Sequence, residues 1–119
     1  MTMITNIIIS KPPLNGIEFK EAIDLGLVCA AFEHQVNLVF TDDGVICLLK
    51  KQNAAVTGDK NQVDILKGLE FYDIDNIYLE KEALKNSSIK TADLINNVQL
   101  IDSVDLNQLN KAANNLVSF

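Results

Sequence analysis

Few side chains in this sequence could do chemistry: the adjacent carboxylates Asp42 and Asp43, the cysteines Cys29 and Cys47, and the single histidine, His34. Paired carboxylates after a strand can hold Mg²⁺ or accept a phosphoryl group, as in a response regulator. That chemistry needs a lysine or a further acid beside them, and the local sequence places neither. The other role open to Asp42-Asp43-Gly44 is to stop a strand and cap a following helix. Short carboxylates bond adjacent backbone N–H groups, and Gly44 can take positive φ without a Cβ clash. The cysteines show no C-x-x-C spacing and no histidine pair, so no zinc site, redox dithiol or cofactor is read. Both fit reduced core thiols. Cys47, just past the acidic turn, stays open as a reactive thiol, although Asp42 and Asp43 would raise its pKa unless a helix N-terminus offsets them. His34 follows Phe32-Glu33 at a helix end, where an imidazolium suits the last carbonyls but has no neighbouring nucleophile to activate.

These residues are positioned by an alternation of strands and helices. Val36, Leu38, Val39 and Phe40 predict a strand buried on both faces, followed by the acidic turn and a short helix. Ile7-Ile8-Ile9, extended back to Ile4, predicts the first strand. Ser10 to Gly16 is the loop that ends it; its two prolines cannot supply ladder N–H groups, and it lacks a G-x-G-x-x-G or P-loop phosphate cradle. Residues 17–32 predict a helix with Phe19, Ile23, Gly26, Leu27 and Ala30 against a sheet. Residues 50–61 are polar and predict a surface loop. Asn61 or Asp59 then caps a helix to about Tyr72, with Leu66 and Leu69 inward and Ile65 and Phe71 partly so. Strands follow at 76–79 and 98–101, with a helix at 80–85 between them; 91–95 is either helical or irregular. Asp102 to Asp105 caps a last helix whose core face is Leu106, Leu109, Ala112, Ala113 and Leu116, and 116–119 closes a fifth strand. The class is α/β, with a mostly parallel sheet of about five strands covered by helices on both faces.

With 119 residues the chain fits one domain and buries a core without metal or disulfide. Its 10 basic and 16 acidic residues leave a net charge of −6, and Lys50-Lys51 is the densest basic pair. Direct binding to a phosphate backbone, which needs clustered cations, is therefore not expected. The apolar runs are too short to span a bilayer and no targeting segment opens the chain, so the cytoplasm is the default location. Met1-Thr2-Met3-Ile4-Thr5 matches the opening of β-galactosidase, an expression leader, or coincides with it.

A family resemblance rests on particular stretches. Ala30-Ala31-Phe32 leads into Val36-Asn37-Leu38-Val39-Phe40; Asp42-Asp43-Gly44-Val45 with Leu48 follows. Leu69-Glu70-Phe71-Tyr72-Asp73-Ile74 precedes Ile77-Tyr78, and Ser118-Phe119 stands last. Together these resemble the DsrF/TusC family of sulfur-relay subunits over most of the chain. The Asp-Gly-Val element is the most specific part and Tyr72-Asp73-Ile74 the next. Pro13-Leu14-Asn15-Gly16 matches the family's proline loop loosely and is one residue longer.

The resemblance implies a DsrE/F-like three-layer domain over residues 1–119. It would assemble with DsrE/TusD-like and DsrH/TusB-like subunits, or with itself in their absence, into a hexamer that passes persulfide sulfur toward tRNA 2-thiouridine or sulfur oxidation. The carrier cysteine of the DsrE/TusD subunit lies near the start of the helix after the middle strand. Here that place reads Tyr78-Leu79-Glu80-Lys81-Glu82, which implies a partner that carries no sulfur. Apolar residues in excess of one core supply a candidate interface: Leu25, Val28 and Phe32 at i, i+3, i+7 opposite the sheet-facing stripe, with part of Val45, Ile46, Leu48 and Leu49. Five apolar residues in succession cannot share one helix face, so 45–49 is either sunk within the monomer or covered by a partner.

Overall fold

The computed structural model describes residues 2–13, 17–50 and 62–119. Its centre is a strand set by three consecutive isoleucines. β1 (Ile4–Ile9) turns Thr5, Ile7 and Ile9 to one face and Asn6 and Ile8 to the other, the period-two alternation of a pleated strand. β1 pairs in parallel with β2 (Gln35–Phe40) on one side and β5 (Asn115–Ser118) on the other. β3 (Asn76–Glu80) and β4 (Val98–Ile101) extend the sheet beyond β2, so the strand order is β4-β3-β2-β1-β5 and every pairing is parallel. Ile4 and Thr5 therefore belong to the fold. Ile4 pairs with Gln35, and Thr5 is buried with its hydroxyl 3.0 Å from Nδ1 of His34.

The first face carries α1 (Ile17–Ala31), a 3₁₀ helix (Asp42–Leu48), α2 (Gln62–Gly68) with a 3₁₀ turn (Leu69–Tyr72), and α3 (Lys81–Lys85). Phe19, Ala22, Ile23, Leu66, Leu69 and Ile74 close on Ile7, Ile9, Leu38, Phe40 and Leu79 to form the main core. Among the described residues α4 (Ser103–Ala112) covers the second face, where Val39, Ile101 and Leu106 form a smaller cluster. Asp102 caps α4 by accepting from the Asp105 N–H at 2.8 Å, as its type and position predict.

A polar pair is built into that second face. Asn6 and Asn37 are fully buried on adjacent strands. The Asn37 Nδ2 donates to the Asn6 Oδ1 at 2.8 Å, and the Asn6 Nδ2 donates to the Leu109 carbonyl at 3.1 Å and the Asn110 Oδ1 at 3.0 Å. Nothing in the apolar pattern of β1 or β2 indicates that these amides tie the sheet to α4.

Several expectations are corrected by packing. Phe71 is 83% exposed, not partly inward, because the helix ends at Gly68 and tightens to 3₁₀, which changes the angular step between Leu69 and Phe71. Leu116 leaves the face expected of it on the last helix, since α4 ends at Ala112 and Leu116 lies exposed in β5; Ala112 is exposed too. Residues 91–95 form a 3₁₀ turn (Thr91–Asp93), with Leu94 bridging back to Leu49. The expected surface loop, its helix caps at Asp59 and Asn61, and the match at residues 14–16 lie outside the described residues.

Two helix ends share one design. After α1, the His34 N–H donates to the Cys29 carbonyl at 3.0 Å and the Glu33 N–H to the Ala30 carbonyl at 2.9 Å; after the second 3₁₀ turn, Ile74 donates to Leu69 at 3.1 Å and Asp73 to Glu70 at 3.2 Å. Both are Schellman closures, which require a left-handed residue, and Glu33 and Asp73 supply it with φ of 64° each. Glycine is the usual occupant, and a side chain there costs on the order of 1 kcal/mol.

Candidate functional site

In a parallel sheet, ligands gather beyond the carboxyl ends of the strands, here the exits of β1, β2 and β3. Ser10 to Pro13, Thr41 to Gly44 and Glu80 to Glu82 meet at this pole. β1 and β2 leave the sheet side by side: the Thr41 N–H donates to the Ile9 carbonyl at 3.0 Å, and the Gly44 N–H to the Thr41 carbonyl at 2.8 Å. Gly44 is pressed so closely on β1 that an added Cβ would lie 2.1 Å from the Ile9 oxygen. The glycine is needed for this close approach rather than for a positive φ. Asp42, with φ of 48°, holds the left-handed position instead. Asp42 and Asp43 form the first turn of the 3₁₀ helix, and the cap position falls on Thr41, which makes no side-chain cap bond; the expected capping role is corrected accordingly.

Among the described residues Asp42, Asp43, Glu80 and Glu82 form no ion pair. Glu80 has its carboxyl pushed above the ordinary range by desolvation, with repulsion from Asp42 and then Glu82 adding to it. Among the described residues no three His, Cys, Asp or Glu side chains converge to hold a metal ion, and the ion pair that forms, Lys11 with Glu18 at 3.4 Å, includes none of Asp42, Asp43, Glu80 and Glu82. An open cleft of about 530 Å³ separates Asp42, Asp43 and Ile46 from Asn86 to Ile89 after α3.

Neither thiol reaches this surface. Cys47 is fully buried behind the 3₁₀ helix, its Sγ 3.6 Å from the Lys11 carbonyl. Burial pushes its pKa from 9.0 up to about 12 despite a compensating backbone hydrogen bond. Cys29 is half-buried in α1 against the main core. A thiol that ionises near 12 when folded and near 9 when unfolded favours the unfolded chain once pH passes 9, so its contribution to stability erodes from there toward pH 12. Between pH 9 and 10.5 the native protein should lose about 2 kcal/mol more than a Cys47→Ala variant in urea titrations. Parallel losses in the two proteins would refute the burial argument.

The candidate interface divides. Val45 and Leu48 are buried in the chain's own core, and Ile46 and Leu49 are half-buried, so the 45–49 run is largely absorbed by the monomer. The two most buried, Val45 and Leu48, are withdrawn as partner contacts. The helical stripe differs: Leu25 is half-buried, Val28 is 54% exposed and Phe32 76% exposed. Tyr72, 61% exposed, and Phe71 add apolar surface that the sequence reading did not assign to an interface. The signal was present in Leu69 to Ile74, where two apolar residues, Leu69 and Ile74, already close the core and leave Phe71 and Tyr72 in surplus.

A family model described as DsrE/DsrF-like matches residues 3–119. The chain belongs to this family. Among relatives of the DsrE/DsrF-like chain, a TusC homolog of Aliivibrio fischeri is 30% identical over 89 residues, 75% of each protein. The intracellular sulfur oxidation protein DsrF of Allochromatium vinosum is 28% identical over 123 residues, covering 92% of this chain and 90% of DsrF. The crystal structure of YchN from E. coli superposes over the whole of both chains with a TM-score of 0.79 at 22% identity, a likeness of fold. Three residues of the stretches that carry the resemblance have visible work: Gly44 seats the 3₁₀ helix on β1, Val45 anchors that helix in the core, and Asp73 closes the turn after Tyr72. Among the described residues no helix is long and apolar enough to cross a membrane.

Proposed function

We propose that this chain is an assembly subunit, without a sulfur-carrying residue of its own, of a sulfur-relay complex of the DsrEFH or TusBCD type. Its partners are DsrE/TusD-like and DsrH/TusB-like subunits, and the sulfur passes to a tRNA wobble base or through sulfur oxidation. The observation that carries this reading is the start of α3, where the carrier subunit's cysteine would stand. Glu80, Lys81 and Glu82 occupy it, and with Asp42 close by the two glutamates make a negatively charged setting, the opposite of the electropositive one that stabilises a thiolate. The names borne by the relatives point the same way. The net charge of −6 leaves nucleic-acid contact to other subunits.

The test is reconstituted transfer of labelled sulfur through the complex assembled with the partner subunits of the same host. A Cys29→Ser/Cys47→Ser variant should assemble and transfer at a rate within about twofold of the native subunit, since neither thiol stands at the α3 start. A folded, assembled Cys47→Ser complex that no longer transfers sulfur would make Cys47 a carrier and overturn the reading.

A further inference from the structure

The two Schellman closures end neighbouring elements of one layer at the same pole. Phe32 and Glu33 immediately precede β2, Tyr72 and Asp73 precede β3, and β2 and β3 are hydrogen-bonded with Asn37 opposite Asn76. α1 packs on the 3₁₀ turn at 69–72, so both exposed aromatic segments lie on one side of the sheet, at its amino end. This pole is opposite Asp42, Gly44 and Glu80. In each closure an aromatic side chain is followed at once by an acid in left-handed conformation, so carboxylates are set beside exposed rings.

Next to this surface an open groove of about 640 Å³ runs from the 3₁₀ turn to the start of β4. Ile74, Ile77 and Ile95 line its floor, Glu70 and Asp75 its lip, and Lys67 is its one cation among the described residues. Among the described residues Glu33, Glu70, Asp73 and Asp75 have no ion-pair partner. Two copies of this chain meeting here would bring unpaired carboxylates together, which disfavours self-association.

Resting on the assembly reading above, we propose that the amino pole docks a protein partner through a segment that is apolar at its centre and rich in Lys or Arg at its rim. An aromatic or aliphatic side chain of the partner packs against Phe32, Phe71 and Tyr72. A basic side chain lays its aliphatic stem along the isoleucine floor and carries its charge to Glu70 and Asp75. Glu33 and Asp73, held in place by their own turns, supply the remaining attraction.

The conformation of those two acids makes the test selective. Glu33→Gly/Asp73→Gly removes two charges while installing the residue the turns prefer, so the melting temperature should not fall. Calorimetric titration of the full chain against the co-expressed DsrE/TusD-like and DsrH/TusB-like pair should then show binding about tenfold or more weaker, with a shallower dependence on salt. Phe32→Ser/Phe71→Ser, in exposed positions, should keep the fold and bind about a hundredfold more weakly. Unchanged affinity in both variants, with the native chain binding normally, overturns this inference and leaves the assembly reading standing. Failure of the native chain to bind the pair overturns both. A photo-cross-linker at Phe71 that joins a second copy, or a partner segment without basic residues, also overturns it; one that joins an apolar, Lys- or Arg-flanked partner segment supports it.

Discussion

Gly44→Ala should destabilise the protein by about 3 kcal/mol or more, placing it among the most damaging single substitutions available. The new methyl would stand 2.1 Å from the Ile9 carbonyl oxygen and 3.0 Å from its carbon. These are backbone atoms of the central strand and cannot rotate away. Relief requires the 3₁₀ helix to lift off β1, stretching the Thr41 to Ile9 hydrogen bond and drawing Val45 and Leu48 out of the core. Gly68 is the control, because a Cβ there meets nothing within 4 Å and the residue is helical, with φ of −76°. Gly68→Ala should therefore be neutral or stabilising by up to about 1 kcal/mol. Urea titrations followed by circular dichroism compare the two, and a Gly44→Ala midpoint near the native value would refute the steric account.

Asn6→Leu should cost about 2–4 kcal/mol and loosen one element selectively. The substitution removes three hydrogen bonds at once and leaves the Asn37 Nδ2 buried without the oxygen it meets at 2.8 Å. It also releases the Leu109 carbonyl and the Asn110 side chain, the polar attachment of α4 to the sheet. Hydrogen exchange should show α4 amides opening well before those of α1, whose contacts lie on the other face. A second change, Asn37→Leu, should recover much of the loss, since replacing both members of a buried polar pair by apolar groups of similar shape removes the unsatisfied donor. Equal exchange in α1 and α4 of Asn6→Leu would show that the amides do not serve as this attachment.

Apolar periodicity made most of the architecture readable beforehand. The isoleucine run, the Val36 to Phe40 segment and the α1 stripe of Phe19, Ile23 and Gly26 each obey one spacing, and the structure places them in β1, β2 and the sheet-facing side of α1. Reading failed where a polar group is buried or an apolar one exposed. Asn6 and Asn37 look like interruptions in a strand pattern; they bond each other across adjacent strands, and only the arrival of α4 from some hundred residues away gives the Asn6 Nδ2 its partners. Phe71 was misplaced because local spacing does not reveal that a helix tightens to 3₁₀ after Gly68. Gly44 was recognised as significant for the wrong reason: its neighbour across space, Ile9, is invisible from the turn itself. At the candidate site, the short helix with Glu80, Lys81 and Glu82 at its start was legible directly, whereas the burial of Cys47 required the packed 3₁₀ helix.

The position of β1 between β2 and β5 sets an order of events during synthesis. β1 meets β2 across about thirty residues, but its other edge waits for β5, whose Asn115 pairs with Thr5. Closing that span late carries a large entropic barrier, and topologies dominated by such distant pairings fold slowly. Until β5 arrives, a central isoleucine strand presents an open row of N–H and C=O groups, an invitation to mispairing between nascent chains. Slow closure of that edge by β5, rather than weakness of the finished core, is thus where this topology exposes the chain to misassembly.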